Sequence, residues 1–281
     1  MATNVEIADY FTECSVDYRR FWTDENNLAM HFGFWEPNTE NLHDAMADLN
    51  RILAEKAKIK ADDVVLDAGC GLGGSSIWLA KNLGVKVACV SICKKDIEDA
   101  EKSAQECHVD HLVIFHHEDM VNTEFEDRSF DVIWAIESIV HIDDKRKFFL
   151  EAFRLLKDGG RLIIADGFLG KDRSEFNKKQ LDALEKIEKG WAITIVELDE
   201  YIEHMEDSGF TNIQFEDTTN NIMKSSWHIY IRGVILYPIA LLLKWLGLRT
   251  ERGVYNSIAC RKQYSMFSSG NWRYGIIYAE K

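Results

Sequence analysis

Two prolines in 281 residues leave no room for rigid proline-rich linkers, and no Ser/Gly-rich or otherwise low-complexity tract divides the chain. One domain with additions is therefore expected, long enough to bury its own core. Basic residues are also in deficit: 33 Lys and Arg face 47 Asp and Glu, a formal net charge of −14. Such a chain repels nucleic acid and anionic surfaces at long range, so no nucleic-acid partner is expected. The six cysteines, at 14, 70, 89, 93, 107 and 260, form no C-x-x-C pair, and the first residues lack the basic-then-apolar pattern of a signal peptide. A reducing cytoplasmic setting follows. Long apolar runs are scarce too: GVILYPIALLL, Gly233 to Leu243, ends at Lys244, short of the ~20 residues of a spanning helix, so it is not expected to span.

What the chain does have is alternation. Residues 41 to 59 place Leu42, Ala45, Met46, Leu49, Ile52 and Leu53 on one helical face, leading into the buried run VVLDA and a glycine turn. A helix over Ser75 to Asn82, the run VKVACVSI and a charged helix from Lys94 to Cys107 follow. LVIFHHEDM and FDVIWAIES read as the next strands, RKFFLEAFRLLKDGG as a helix and RLIIADGFL as another strand. Helices near 174 to 190 and 197 to 208 precede the strand FTNIQFEDTT, and WRYGIIYAEK closes the chain. Strands separated by helices of ordinary length make a doubly wound, mostly parallel α/β sheet, because parallel neighbours need crossover connections. Between the last two strands, residues 220 to 271 are helical and apolar, far longer than a common connection.

The turn Asp67-Ala68-Gly69-Cys70-Gly71-Leu72-Gly73-Gly74 satisfies G-x-G-x-x-G with Gly69, Gly71 and Gly74. A dinucleotide site needs an acidic residue about 20 positions on, but Ser91 stands there. Asp67, at the mouth of the turn, repels a pyrophosphate and attracts an ammonium group. A cofactor with an amino-acid end fits better.

VLDAGCGLGG, VSICKKDIE, HHEDM, FDVIWAIESIVHI and LLKDGGRLIIADGFL, in this order over about 64 to 169, resemble the motifs of class I S-adenosylmethionine-dependent methyltransferases. The head MHFGFW and V-S-I-C-x-x-D resemble the branch acting on sterols, tocopherols and prenyl diphosphates. The resemblance implies a Rossmann-like seven-stranded fold that is one methyltransferase domain: an N-terminal head or lid (1–40), a core with the cofactor site (41–219), a helical insertion roofing the substrate (220–271) and a last strand (272–281). It implies S-adenosyl-L-methionine as cofactor, with Asp67, Gly69 and Gly71 at its methionine end, Ser91 and Asp96 at the ribose, Asp119 and the Met120 backbone at the adenine, and Ile136 as a further contact. Asp96 departs from the branch, which commonly has Gln there.

The methyl donor is already activated, so the protein has to align a nucleophile, exclude water and manage one proton. Glu137 and His141, after the fourth strand, and Tyr18 of the head are the catalytic candidates, with His31 beside Tyr18 as a second head residue approaching the cofactor. The expected reaction is methyl transfer to a small hydrophobic acceptor, isoprenoid, sterol or lipid-like. A carboxylate at Glu137 suits C-methylation through a carbocation, and an imidazole at His141 suits O-methylation of an acid or alcohol; N-methylation of a small amine and a non-catalytic partner subunit are the other readings. His108, His111, His116 and His117 with Cys107 match no zinc spacing, so no metal is expected. The segment WHIYIRGVILYPIALLLKWLGLR is open to three roles: a wall for a long apolar substrate, a homodimer face, or a shallow membrane contact. Arg232, Lys244, Arg249 and Arg252 within or after it are candidates for binding a diphosphate or carboxylate head.

Overall fold

Successive residues of the central strands feed two different cores, which is why these runs are apolar without a break. The computed structural model describes residues 4, 7–13 and 29–281. In it, β1 (Val64–Ala68), β2 (Lys86–Ser91), β3 (Val113–His117), β4 (Phe130–Ile136), β5 (Leu156–Leu169), β6 (Thr211–Asp217) and β7 (Trp272–Glu280) form one sheet in the order β3-β2-β1-β4-β5-β7-β6. Val65, Trp134 and Ile163 join the core on one face, while their neighbours Leu66, Ala135 and Ile164 join the core on the other. A strand covered on both sides has no polar face to show. The first five strands run parallel, and β7 is antiparallel to both β5 and β6. The order reverses between β1 and β4, which opens a crevice at their carboxyl ends.

The helices are α1 (Leu42–Lys56), α2 (Gly74–Leu83), α3 (Lys94–Glu106), α4 (Lys145–Leu155), α5 (Lys178–Trp191), α6 (Leu198–Ser208), α7 (Thr219–Trp245) and α8 (Glu251–Ser268). Several boundaries differ from the sequence reading for local reasons. The α5 helix starts at Lys178 because Asn177 and Gln180 form a reciprocal capping box. KDGG belongs to β5, with Gly159 at φ +76° and its amide donating to the Lys281 carbonyl. The apolar run near 233 lies inside a helix of 27 residues, because the polar stretch before it continues the same helix. Length and composition alone would let α7 cross a bilayer, and only 22% of its most apolar window is buried, so the run's own length does not decide the matter.

The α7–α8 hairpin replaces the long connection before β7. The chain before α1 is stitched to it: the Gly33 amide and Trp35 Nε1 both donate to Ser225 Oγ, at 3.0 and 2.9 Å, and the Trp35 amide donates to the Asn221 carbonyl at 2.9 Å. Two glycines let α8 come close. A Cβ on Gly190 of α5 would lie 2.5 Å from the Tyr255 carbonyl oxygen, and one on Gly233 of α7 would lie 2.8 Å from Cys260 Cβ. Inside the hairpin, Ser226 Oγ donates to Gln263 Oε1 at 2.6 Å, and Gln263 Nε2 donates to the Ser226 carbonyl at 2.7 Å, which satisfies a buried polar pair.

Backbone atoms cannot move aside as a side-chain tip can. Gly190→Ala should therefore destabilise the protein by about 1–3 kcal/mol through overpacking, despite alanine's better helix propensity. Urea unfolding of the two proteins measures it, and equal midpoints would show that α5 and α8 have room to spare.

Candidate active site

The loop after β1 has to bend sharply, and its glycines make that bend. Gly69, Gly71 and Gly73 sit at φ +92°, +51° and +76°, and a Cβ on Gly69 would come within 2.4 Å of Ser138 Cβ. The turn delivers the chain into the amino end of α2, whose first-turn amides and dipole favour electron-rich groups. Asp67, the next-to-last residue of β1, is buried. Its Oδ2 accepts from Ser76 Oγ, and burial pushes its pKa up to about 7 against that bond. Among the described residues, no cationic side chain pairs with this carboxylate, which leaves it suited to a positively charged ligand.

The ends of β2 and β3 continue the wall. Ser91 Oγ accepts from the Cys93 amide at 3.1 Å, and Asp96 lies buried in the first turn of α3. Beyond β3, Asp119 makes a turn, with Oδ1 accepting from the Val121 amide at 3.1 Å and Oδ2 from Asn4 Nδ2 at 2.6 Å. That turn explains why the strand stops at His117 and not at Met120.

The chain leaves β4 through a strained residue. Glu137 has φ +49°, unusual for a residue with a side chain, and its amide donates to the Ala165 carbonyl at 2.8 Å. Its Oε1 accepts two bonds, from the Phe32 amide at 2.7 Å and from the Tyr274 hydroxyl at 2.8 Å. Burial outweighs both bonds and raises its pKa to about 8. The carboxyl is therefore mostly protonated at neutral pH, and it ties the head to the last strand.

His141 Nδ1 lies 3.0 Å from the Ala192 carbonyl oxygen. A carbonyl only accepts, so Nδ1 carries the hydrogen and Nε2 carries the lone pair. Burial lowers the imidazole pKa to about 4, keeping it neutral, and its ring lies 5.1 Å from the Phe11 ring. His31 follows the same logic. Its Nδ1 bonds the Phe32 carbonyl at 2.8 Å, Nε2 is buried without a hydrogen-bond partner, and burial lowers its pKa to about 4.

All these groups border one cavity of about 470 Å³. Asp67, Gly69, Gly71, Ser91, Asp96, Asp119, Met120 and Ile136 line it together with Glu137, His141 and His31. Tyr18 lies outside the described residues. Four residues of the setting escaped the sequence reading. Asp166, at the end of the β5 run, accepts from the Val140 amide, the Gly167 amide and the Tyr201 hydroxyl, while Lys145 Nζ donates to the Ile139 and Ile142 carbonyls. Together these fix the loop that carries His141. An acid closing a buried strand is the signal already seen at Asp67 and Glu137, so Asp166 was findable; Tyr274, Tyr201 and Lys145 carry no comparable local mark. Among the described residues, no group of three His, Cys, Asp or Glu side chains is arranged to hold a metal ion.

S-adenosylmethionine fits this donor set. A buried carboxylate stands at the glycine turn for its ammonium, acidic residues stand along the β2 and β3 ends for hydroxyl and amino groups, and the buried Ser138 Oγ and His31 Nε2 await partners. A family model described as a methyltransferase domain matches residues 66–164. The 27-O-demethylrifamycin SV methyltransferase of Amycolatopsis mediterranei (strain S699) is 32% identical over 198 residues, covering 70% of this chain and 72% of that protein. The chloroplastic tocopherol O-methyltransferase of Arabidopsis thaliana is 26% identical over 295 residues, covering 98% of this chain and 81% of that one. The cyclopropane synthase MmaA2 from Mycobacterium tuberculosis shares the fold at a TM-score of 0.84 over 100% of this chain and 99% of that one, with 16% identity. With the sheet order, the glycine cradle and these relatives in agreement, the chain belongs to the class I S-adenosylmethionine-dependent methyltransferases and transfers a methyl group from that cofactor to a small molecule.

Proposed function

We propose that the acceptor is a small apolar molecule, isoprenoid, sterol or otherwise lipid-like, and that it is methylated on oxygen. One observation carries the choice of atom: an imidazole held neutral, with its hydrogen committed to the Ala192 carbonyl and its lone pair left for the cavity. Ile229, Gly233 and Leu236 of α7 supply an apolar wall opposite the cofactor residues, and Phe11, Trp191 and Trp272 supply aromatic faces. Two relatives are named as a tocopherol O-methyltransferase and a 27-O-demethylrifamycin SV methyltransferase, each for that protein's own acceptor.

S-adenosylmethionine supplies a methyl group already activated on a sulfonium. Asp67 would hold the ammonium end beside the backbone of Gly69 and Gly71, Ser91 and Asp96 would meet the ribose hydroxyls, and Asp119, Met120 and Ile136 would frame the adenine. His141 Nε2 would accept the acceptor's hydroxyl hydrogen and take up that proton as the oxygen is methylated. A hydroxyl oxygen gaining a methyl becomes strongly acidic, so an imidazole of lowered basicity suffices. Glu137 holds the Phe32 amide and the Tyr274 hydroxyl, closing that side of the cavity. The segment before α1 acts as a lid and the α7–α8 hairpin as a roof. Arg232 of α7 also borders the cavity, which suits an acceptor with an anionic end. The described cysteines are all free thiols, in keeping with a reducing cytoplasmic compartment.

A second reading rests on Glu137. A buried carboxyl flanked by Phe32 and Tyr274 suits a carbocation, formed when an alkene carbon takes the methyl, provided that the group ionises as the cation appears. Incubation with methyl-labelled S-adenosylmethionine and a panel of prenyl alcohols, phenols, sterols, fatty acids and amines separates the two, with the label located by NMR. Label on oxygen is expected, and label on carbon would move the chemistry to Glu137. His141→Gln should lower turnover by about 10²–10⁴-fold, the usual worth of a general base, and leave cofactor affinity unchanged. Full turnover in that variant would remove His141 from the reaction.

The assignment of Asp67 predicts a pH dependence. Its raised pKa means that it is protonated below about 7 and anionic above, and only the anion attracts the ammonium group. Calorimetric affinity for S-adenosylmethionine should therefore rise with pH through about 7. Asp67→Asn should bind about tenfold to a hundredfold more weakly, the worth of a charged hydrogen bond, with that slope gone. A slope retained in Asp67→Asn would assign the titration to another group.

A further inference from the structure

Charge is not spread evenly over this chain. Residues 219–271, the α7–α8 hairpin and its ends, hold seven Lys and Arg and one acidic residue, Glu251, a net +6. The remainder of the −14 chain therefore carries −20. The hairpin is also where apolar side chains face outward. Ile231, Val234, Ile235, Ile239, Leu242 and Trp245 recur at three- and four-residue spacing on the exposed side of α7. At the tip, Trp245 is 81% and Leu248 73% exposed. An apolar stripe rimmed by basic groups on an otherwise acidic protein is what an anionic lipid surface complements.

We propose that the outer face of the hairpin docks onto the surface of an anionic lipid bilayer, with the Trp245–Leu248 tip entering the headgroup region. The other side of α7 argues for lying on the membrane, not crossing it. Ile222, Ser225, Ser226 and Ile229 are buried in the protein, and Ile229 and Gly233 border the cavity, so a spanning α7 would strip the cavity of its wall. Tryptophan at a helix end beside lysine is suited to the interface, where an apolar ring and a polar edge are both accommodated. Lys224 and Arg261 are exposed along the hairpin and Lys244 near its tip, where Lys244 lies 3.9 Å from Glu251 and Arg252 3.7 Å from Glu13. The residual positive charge is attracted to anionic headgroups by about 1 kcal/mol per basic group. A second copy of the chain fits less well, since two basic faces would meet.

Co-sedimentation of the whole protein with vesicles tests this, without acceptor and without reading turnover, so its failure leaves the acceptor assignment standing. Binding is expected to vesicles of equal parts phosphatidylglycerol and phosphatidylcholine, to be weaker on phosphatidylcholine alone, to fall as salt is raised and to be released by alkaline carbonate. Trp245→Asp with Leu248→Asp should lower the partition coefficient by about a hundredfold, roughly tenfold for each large apolar side chain withdrawn. Circular dichroism, melting temperature and cofactor affinity should not change, because both side chains project into solvent. If that variant does not fold, quenching of Trp245 fluorescence by brominated lipid, absent in Trp245→Phe, gives the same answer. Any of four results overturns the proposal: no sedimentation with either vesicle, equal binding to both, retention after carbonate, or a solution dimer that Trp245→Asp dissociates.

Discussion

The carboxyl of Glu137 holds three separate parts of the chain at one point. Its own backbone leaves β4 in a left-handed turn, and its Oε1 takes the amide of Phe32 from the head and the hydroxyl of Tyr274 from β7. Without that acceptor, a buried amide and a buried phenol would both lose their partner, at about 1–3 kcal/mol each. The group tolerates burial because its raised pKa, about 8, lets it stand as a neutral acid at neutral pH. Packing follows from the same point: the Phe32 ring meets Phe267 and Tyr274 edge-on, and Phe267 stacks on Trp272. Head, hairpin and last strand thus converge beside the cavity.

Glu137 is one of three acids at the carboxyl ends of parallel strands. Asp67 near the end of β1 and Asp166 within β5 are also buried, and burial raises each to about 7. A carboxyl whose folded pKa lies above its unfolded one stabilises the fold fully below the unfolded value and loses that contribution as pH rises through the folded value. At neutral pH Asp67 and Asp166 are therefore near the middle of their titration. A bound cation at Asp67 favours the ionised form and offsets the desolvation that burial imposes. Binding of a cation there and folding would therefore share this term. Lys145 answers Asp166 instead, lowered by burial to about 8 and held by two carbonyls of the loop that carries His141.

Most of the fold and one wall of the cavity were legible because they depend on local pattern. A buried run ending in Asp67 or Glu137, a glycine turn and an Asx turn at Asp119 each announce themselves within a few residues, and all eight expected cofactor residues border one cavity. The partners of Glu137 and His141 were not legible. Phe32, Tyr274 and Ala192 reach Glu137 and His141 across distant parts of the chain, and a backbone amide or carbonyl has no sequence signature. Boundaries slipped where a cap or a glycine outweighed periodicity, as at Asn177 and Gly159. The length of α7 slipped for the opposite reason. Its first half, through Lys224 and His228, has no apolar periodicity to read, and Pro238 suggests an end where the helix in fact continues.

That helix departs most from ordinary soluble design. A helix apolar all round is normally enclosed by protein or by lipid, whereas a surface helix normally keeps a polar outer face. The α7 helix has buried Ile229 and Gly233 on the side of the cavity and exposed Ile235, Ile239 and Leu242 elsewhere on its surface. Core packing cannot account for the exposed set, since α8 and the chain before α1 already occupy the inner side. Nor does folding require it, because polar residues at those positions would leave every buried contact intact. An apolar face kept where the fold does not need it, on a basic segment of an acidic chain, implies a constraint from outside the chain. The close approach at Gly233 then matters twice: it seats α7 on α8, and it sets how thin a wall separates that outer face from the cavity.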